Sequence, residues 1–198
     1  MIVRRARWGA ILSVAALLFG CAPLHAATSD ASAESKARLC FACHGDGGNS
    51  TNPAMPSLSG QPRQFISTQL IMFREGRRKD PQMSPVAAPL SNADISQLSA
   101  YFEAQKTMPP SRKADSQTVA AGRELTQKYN CVECHGAQLK GQQHIPRLAG
   151  QQAEYLRVQL RGFKAGTRFD MDGVMTAAAQ PLGDKDIGLI AEYLATLQ

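Results

Sequence analysis

The chain has 198 residues, 43% of them apolar and 19% charged, a size open to one domain or to two small ones. Its formal charge of +6 includes three arginines in the first 26 residues; without them 19 Lys and Arg face 16 Asp and Glu. That leaves no long phosphate-tracking face, so nucleic acid is set aside as a partner.

In chain order, Arg4, Arg5 and Arg7 precede an apolar stretch from Ile11 to Leu18 that ends near small residues, the pattern of an export signal. Gly20 and Pro23 interrupt the run, and it falls short of the roughly 18 to 20 residues that a spanning helix needs. Cleavage is expected after Ala26, in Leu24-His25-Ala26. Leu18-Phe19-Gly20-Cys21 loosely resembles a lipoprotein signal, so a membrane tether arises only if Cys21 is lipidated. Residues 1–26 are therefore read as a signal peptide, with the mature protein in the periplasm.

A first helix is expected from Ser32 to Cys43, running into Cys40-Phe41-Ala42-Cys43-His44. Two thiols about one helical turn apart can add to the two vinyl groups of a haem, and the next residue places an imidazole beneath the iron. Alone, such a pair of cysteines reads equally as a redox dithiol or half of a zinc site. A second copy, Cys131-Val132-Glu133-Cys134-His135, lies 91 residues on and again carries the adjacent histidine. Two such motifs point to c-type haem attachment, with Cys40, Cys43, Cys131 and Cys134 as anchors and His44 and His135 as iron ligands.

The duplication extends well beyond the two motifs. Pro56-Ser57-Leu58-Ser59-Gly60-Gln61 matches Pro146-Arg147-Leu148-Ala149-Gly150-Gln151 at an offset of 90. The carbonyls of Pro56 and Pro146 are candidates to accept the second N–H of each imidazole; ordinary turn prolines before a helix are the alternative. A second helix from Gln61 to Arg74 carries Phe65, Ile66, Gln69, Leu70 and Phe73 and is expected to end at Gly76; its partner spans 151–164 and ends at Gly166. A third helix is expected near Ser91, where Asp94 completes a capping box and Ile95, Leu98 and Phe102 share one face. Asp184 is expected to cap its counterpart. Lys106 to Lys113, with two consecutive prolines, reads as an extended linker. This divides the chain into 27–106, a linker 107–115, and 116–198, where the first helix of the second copy is expected from Thr118 to Cys134.

The sixth iron ligand decides the chemistry, because an open face suits gas or peroxide and a thioether closes it. Met83 and Met175 are the two methionines in equivalent places, 39 and 40 residues after their histidines. Met55 and Met72 read as core filler, and Met171, in the two-residue insertion before Met175, is the more serious rival. His144, nine residues past His135, reads as a surface or core histidine. Arg74, Arg77, Arg78 and Lys79 form a basic cluster that could meet haem propionates, steer an acidic partner, or simply be a solvated helix end.

On the paired C-x-x-C-H sites, the two P-x-L-x-G-Q loops, Gln69-Leu70 and Gln159-Leu160, and the Met83 and Met175 segments, the chain resembles the cytochrome c4 family over everything after the signal. The resemblance implies an all-α fold, a tandem repeat of two class I cytochrome c domains, each a three-to-four-helix fold around one covalently bound haem c with His and Met on iron. It also implies an electron-transfer protein rather than an enzyme, with electrons passing from a membrane quinol-oxidising complex toward a terminal oxidase. Two alternatives come from other classes: an electron-accepting haem subunit of a periplasmic dehydrogenase, and a two-haem peroxidase, which would need one displaceable ligand.

Overall fold

A computed structural model describes residues 26–110 and 112–198 together with Ile2, and for 26–32 the backbone alone. The expected export signal, its two cleavage places and Cys21 lie outside the described residues. Among the described residues there is no strand, and no helix is long and apolar enough to cross a membrane.

Helix α1 (Ala26–His44) carries the first motif at its C-terminal end. A short 3-10 turn (Asp46–Gly48) comes next, then α2 (Arg63–Arg74), α3 (Met83–Ala87) and α4 (Asn92–Ala104). The second half repeats the order with α5 (Ser116–Lys128), α6 (Cys131–His135), α7 (Ala153–Ala165), α8 (Val174–Ala179) and α9 (Asp184–Ala195). In each half the helix before the motif crosses the last helix, α1 on α4 and α5 on α9, and the middle helix packs on that last one as well. The short helices α3 and α8, not anticipated from the periodicity, place Met83 and Met175 in their first turns.

The expected single helix from Thr118 to Cys134 is instead two. Asn130 adopts left-handed backbone angles (φ 55°, ψ 29°), ending α5 and starting α6 afresh. Asparagine enters this conformation more readily than other residues with a side chain. The corresponding residue of α1 is Leu39, which stays helical and projects outward, 86% exposed.

Capping also differs between the halves. Ser91 and Asp94 form the expected capping box on α4, with Ser91 Oγ accepting from the Asp94 amide at 3.1 Å and Asp94 Oδ2 accepting from the Ser91 amide at 3.0 Å. Asp184 does not cap α9: Gly183 occupies the cap position, and Asp184, already inside the helix, accepts from Arg161 Nε at 3.1 Å. Asp186, the counterpart of Asp94, accepts the Tyr129 hydroxyl at 2.7 Å.

The core of the first half gathers Ala37, Ile66, Leu98 and Phe102; that of the second gathers Leu139, Leu156, Phe163, Ile187, Ile190 and Leu194 among others. The helix-free segment between α4 and α5 is tied down to both halves. Met108 N donates to Asn49 Oδ1 at 2.9 Å, and Arg112 makes a fork on Glu192 at 2.5 and 2.8 Å.

The halves meet through a nearly two-fold set of hydrogen bonds. Gln61 Nε2 donates to Arg147 O at 2.9 Å and Gln61 Oε1 accepts from Arg147 N at 3.0 Å. Gln151 Nε2 donates to Ser57 O at 2.9 Å and its Oε1 accepts from Ser57 N at 2.7 Å. The helix amides of Phe65 and Tyr155 likewise donate at 3.1 Å to the carbonyls of Gln143 and Pro53 in the opposite half. Every member of these pairs lies 90 positions from its counterpart, so the interface repeats with the sequence.

Candidate functional site

Each C-x-x-C-H motif folds so that its histidine turns inward while its second cysteine stays accessible. Cys40 and Cys131 are half-buried against the two cores, and Cys43 and Cys134 are exposed. All four thiols are free, and burial pushes the thiols of Cys40 and Cys131 above their ordinary range, which keeps them protonated until they react.

The chain reverses immediately after each histidine. Gly45 and Gly136, at φ 78° and 81°, have backbone angles that an L-residue resists. At Gly45 a Cβ would also lie 2.0 Å from the Asn49 carbonyl oxygen. The turn brings each P-x-L-x-G-Q loop back beside its histidine.

His44 and His135 are both buried, at 5% and 4% exposed, and each Nδ1 lies 2.8 Å from a proline carbonyl, Pro56 O and Pro146 O respectively. A carbonyl only accepts, so Nδ1 carries the proton and donates, leaving the Nε2 lone pair open. Burial pulls both imidazoles below their ordinary pKa, partly opposed by the same carbonyls, so the rings are neutral and suited to bind a metal. The reading of Pro56 and Pro146 as imidazole acceptors agrees with this geometry in both halves.

Met83 and Met175 are half-buried, and an aspartate anchors the backbone of each. Asp80 Oδ1 accepts from Met83 N at 2.8 Å and from Gln82 N at 2.9 Å. Asp170 Oδ2 accepts from Met175 N at 2.7 Å, and its Oδ1 accepts from the Thr176 hydroxyl at 3.0 Å. Burial raises the Asp170 carboxyl, but the bonds from Met175, Asp172 and Thr176 outweigh it and hold the group below the usual carboxylate range. These aspartates keep the offset of 90 while the methionines sit at 92, so the inserted residues fall between Asp170 and Met175. That shared offset was the signal by which Asp80 and Asp170 could have been found. Of the other methionines, Met72 is buried in the first half, and Met171 and Met108 are 72% and 65% exposed. His144 is exposed in its loop.

The basic cluster is not one group. Arg77 and Lys79 are exposed, and Arg74 turns back to the Leu90 carbonyl at 3.0 Å and Asn92 Oδ1 at 2.9 Å. Arg78 points toward the other half, and its counterpart Arg168, which composition and spacing did not single out, has the same surroundings there. Arg78 lies 4.5 Å over the Phe73 ring and bonds Gln69 Oε1 at 2.6 Å; Arg168 lies 4.3 Å over Phe163 and bonds Gln159 Oε1 at 2.6 Å. Arg78 then crosses to Gln159 Oε1 at 3.0 Å and the Tyr155 hydroxyl at 3.3 Å.

The electrostatics here are one-sided. Burial, with Arg78 beside it, pulls Arg168 down to about 10, against the favourable pull of Tyr155 and Asp170. Burial raises the Tyr155 hydroxyl, but Arg78 and Arg168 beside it bring the balance below its ordinary value. Neither arginine forms an ion pair among the described residues, and Arg168 Nε is shielded from solvent with no acceptor. An anionic group between the halves would answer both features.

The donor set therefore fits a haem in each half: free thiols one turn apart, a neutral imidazole with Nε2 open, an anchored methionine, and guanidinium groups wanting carboxylates. No cluster of three or more His, Cys, Asp or Glu suited to a free metal ion occurs among the described residues.

The comparisons agree with that chemistry. A cytochrome c family model matches residues 119–198. The chain is 36% identical to a cytochrome c4 of Thiocapsa roseopersicina over 83% of its own length and 90% of that protein. It is also 36% identical to a thiosulfate dehydrogenase electron acceptor of Thiomonas intermedia, over 93% and 89%. The crystal structure of reduced recombinant cytochrome c4 from Pseudomonas stutzeri superposes with a TM-score of 0.79 at 30% identity, covering 85% of this chain and 98% of that one.

Proposed function

The chain belongs to the cytochrome c4 family of electron-transfer proteins, and from that premise we propose that it is a two-haem electron carrier of the periplasm. The observation that carries the proposal is the repeated imidazole geometry, His44 on Pro56 and His135 on Pro146, each one residue after a pair of free thiols.

In this reading Cys40 and Cys43, and Cys131 and Cys134, hold the two haem c groups as thioethers. His44 and Met83 ligate the first iron, and His135 and Met175 the second. When bound, each haem supplies an iron that gains and loses one electron without a change of ligands. The protein's part is to keep those ligands fixed. The proline carbonyls fix the imidazole rings, the aspartates fix the methionine backbones, and burial of the two histidines shields the imidazoles from water. Arg78 and Arg168 supply positive charge for the haem carboxylates. Residues 27–106 and 116–198 act as two domains joined by the strap 107–115, and residues 1–26 direct export.

The first-choice redox partners are a membrane quinol-oxidising complex and a terminal oxidase. A second reading, an electron-accepting partner of a periplasmic dehydrogenase, is favoured by the similarity to the thiosulfate dehydrogenase electron acceptor over 93% of this chain. Copurification with a catalytic subunit would favour it over the free carrier.

The test is an optical and magnetic-resonance spectrum of oxidised holoprotein, with haem counted per chain. Two low-spin His/Met haems are expected, and Met83→Ala and Met175→Ala should each remove half of the weak long-wavelength iron–thioether band. One high-spin iron in the unmutated protein, or a full band in either variant, would overturn the ligand assignment.

A further inference from the structure

We propose that Gln61 and Gln151 are positioning residues that act across the interface, each setting the strength of the hydrogen bond that holds the other half's histidine. The proposal rests on the reading of His44 and His135 as iron ligands.

The carbonyl of Pro56 and the N–H of Ser57 belong to the same planar amide. Its oxygen accepts from His44 Nδ1 at 2.8 Å, and its N–H donates to Gln151 Oε1 at 2.7 Å. The mirror image runs through the second half, where Pro146 O accepts from His135 Nδ1 at 2.8 Å and Arg147 N donates to Gln61 Oε1 at 3.0 Å. Each glutamine also clamps the far side of the residue it touches, donating Nε2 to Ser57 O or Arg147 O at 2.9 Å. The peptide plane that faces each imidazole is therefore held by a side chain from the opposite half.

Bonds in such a chain polarise one another, most strongly where water is excluded. Gln61 and Gln151 are 4% and 5% exposed, so these bonds are barely screened. A glutamine oxygen that draws on the Ser57 N–H leaves the Pro56 oxygen more negative and a better acceptor. The His44 ring then gains electron density at Nε2, which stabilises the oxidised metal and lowers the reduction potential. The coupling is crossed: Gln151, from the second half, governs the first haem, and Gln61, from the first half, governs the second.

The crossing gives a test that a purely structural role does not reproduce. Gln151→Met and Gln61→Met keep side-chain length and lose both bonds. In holoprotein, with the two haems resolved by nuclear magnetic resonance during a redox titration, Gln151→Met should raise the potential of the His44 haem more than that of the His135 haem. It should also move the His44 Nδ1 proton to lower frequency. Gln61→Met should do the reverse. Equal shifts, larger shifts in the variant's own half, or none in folded holoprotein would overturn the proposal. In the unmutated holoprotein the Ser57 and Arg147 amide protons should exchange slowly; fast exchange would overturn it even if neither variant folds. Loss of the His/Met spectrum in unmutated protein would instead sink the ligand reading, which separates the two failures.

Discussion

The two halves place the same candidate ligands by the same devices and fill their cores differently. At the start of the loop after each motif stand Gly48 and Leu139, which both accept two amides of the returning chain: Leu58 and Ser59 in one case, Leu148 and Ala149 in the other. Both have left-handed backbone, φ 80° and 56°. The first half fills the space above with Phe102, and a Cβ on Gly48 would lie 2.8 Å from that ring. In the second half the smaller Leu194 stands where Phe102 does, and the Leu139 side chain, 2% exposed, is part of the same core. Left-handed backbone at a leucine costs about 1 kcal/mol or more, and burying that side chain returns about 2 kcal/mol. Each half therefore solves one packing problem with a large residue in one of two places.

The helix crossings differ too. Gly122 lets α5 lie against α9 so closely that a Cβ there would fall 2.4 Å from Tyr193 Cβ and 2.5 Å from the Leu189 carbonyl oxygen. Neither neighbour can swing away, because one is at the root of its side chain and the other is helix backbone. The largest effect on the comparison is therefore expected from Gly122→Ala, which should destabilise the second half by about 3 kcal/mol through overpacking. Urea denaturation monitored by signals from each half would show it, with the first half unchanged.

Next in size is the exchange of packing solutions. Gly48→Leu should cost the first half about 2 to 3 kcal/mol through its clash with Phe102. Adding Phe102→Leu should recover part of the loss, since it recreates the arrangement of Leu139 with Leu194. A double variant no more stable than the single one would show that the two loops are not interchangeable.

The aspartate anchors give a smaller, functional contrast. Asp170→Asn should weaken the Met175 segment by about 1 kcal/mol, roughly the difference between a hydrogen bond to a charged acceptor and one to a neutral acceptor. Because the folded Asp170 carboxyl is held below its ordinary range, its contribution is complete above the usual carboxylate pKa and is lost as pH falls through the lowered value. An acid titration of the iron–thioether band should therefore begin at higher pH in Asp170→Asn than in the unmutated protein.

The smallest contrast concerns helix α4. Lys36, 2.5 Å from Asp94 Oδ1, together with Ser91 holds the Asp94 carboxyl at about 2. The stabilisation it gives is present near neutrality and disappears between the usual carboxylate pKa and about 2 as pH falls. Since the pair is at the surface, added salt should reduce the difference between the unmutated protein and Lys36→Met, measured by thermal unfolding.

Much of the site could be read before the fold. The C-x-x-C-H spacing places two thiols and an imidazole on successive turns of one chain segment, and that is local geometry. The proline carbonyls were legible because loop length carries the chain back to its own histidine. The capping box on α4 was legible for the same reason, since Ser91 and Asp94 are three residues apart. Asp184 misled because the same rule needs an accepting side chain at the cap position, and Gly183 has none. Asn130 misled because the helix-forming residues before it suggest continuation, whereas asparagine is one of the few residues that enters left-handed backbone readily.

By itself the sequence determined the helical class, the duplication, and the identity and spacing of the candidate ligands, because each is a relation between residues close in the chain or repeated at a fixed interval. Only the tertiary structure decided which half of the molecule each polar side chain serves. In the sequence Gln61 and Gln151 close the repeated P-x-L-x-G-Q loops and Arg78 belongs to a basic run, and nothing in either pattern says that they reach across to the opposite half. Their partners across the interface lie 77 to 94 positions away, and a hydrogen bond depends on distance and direction in space, which no local pattern encodes.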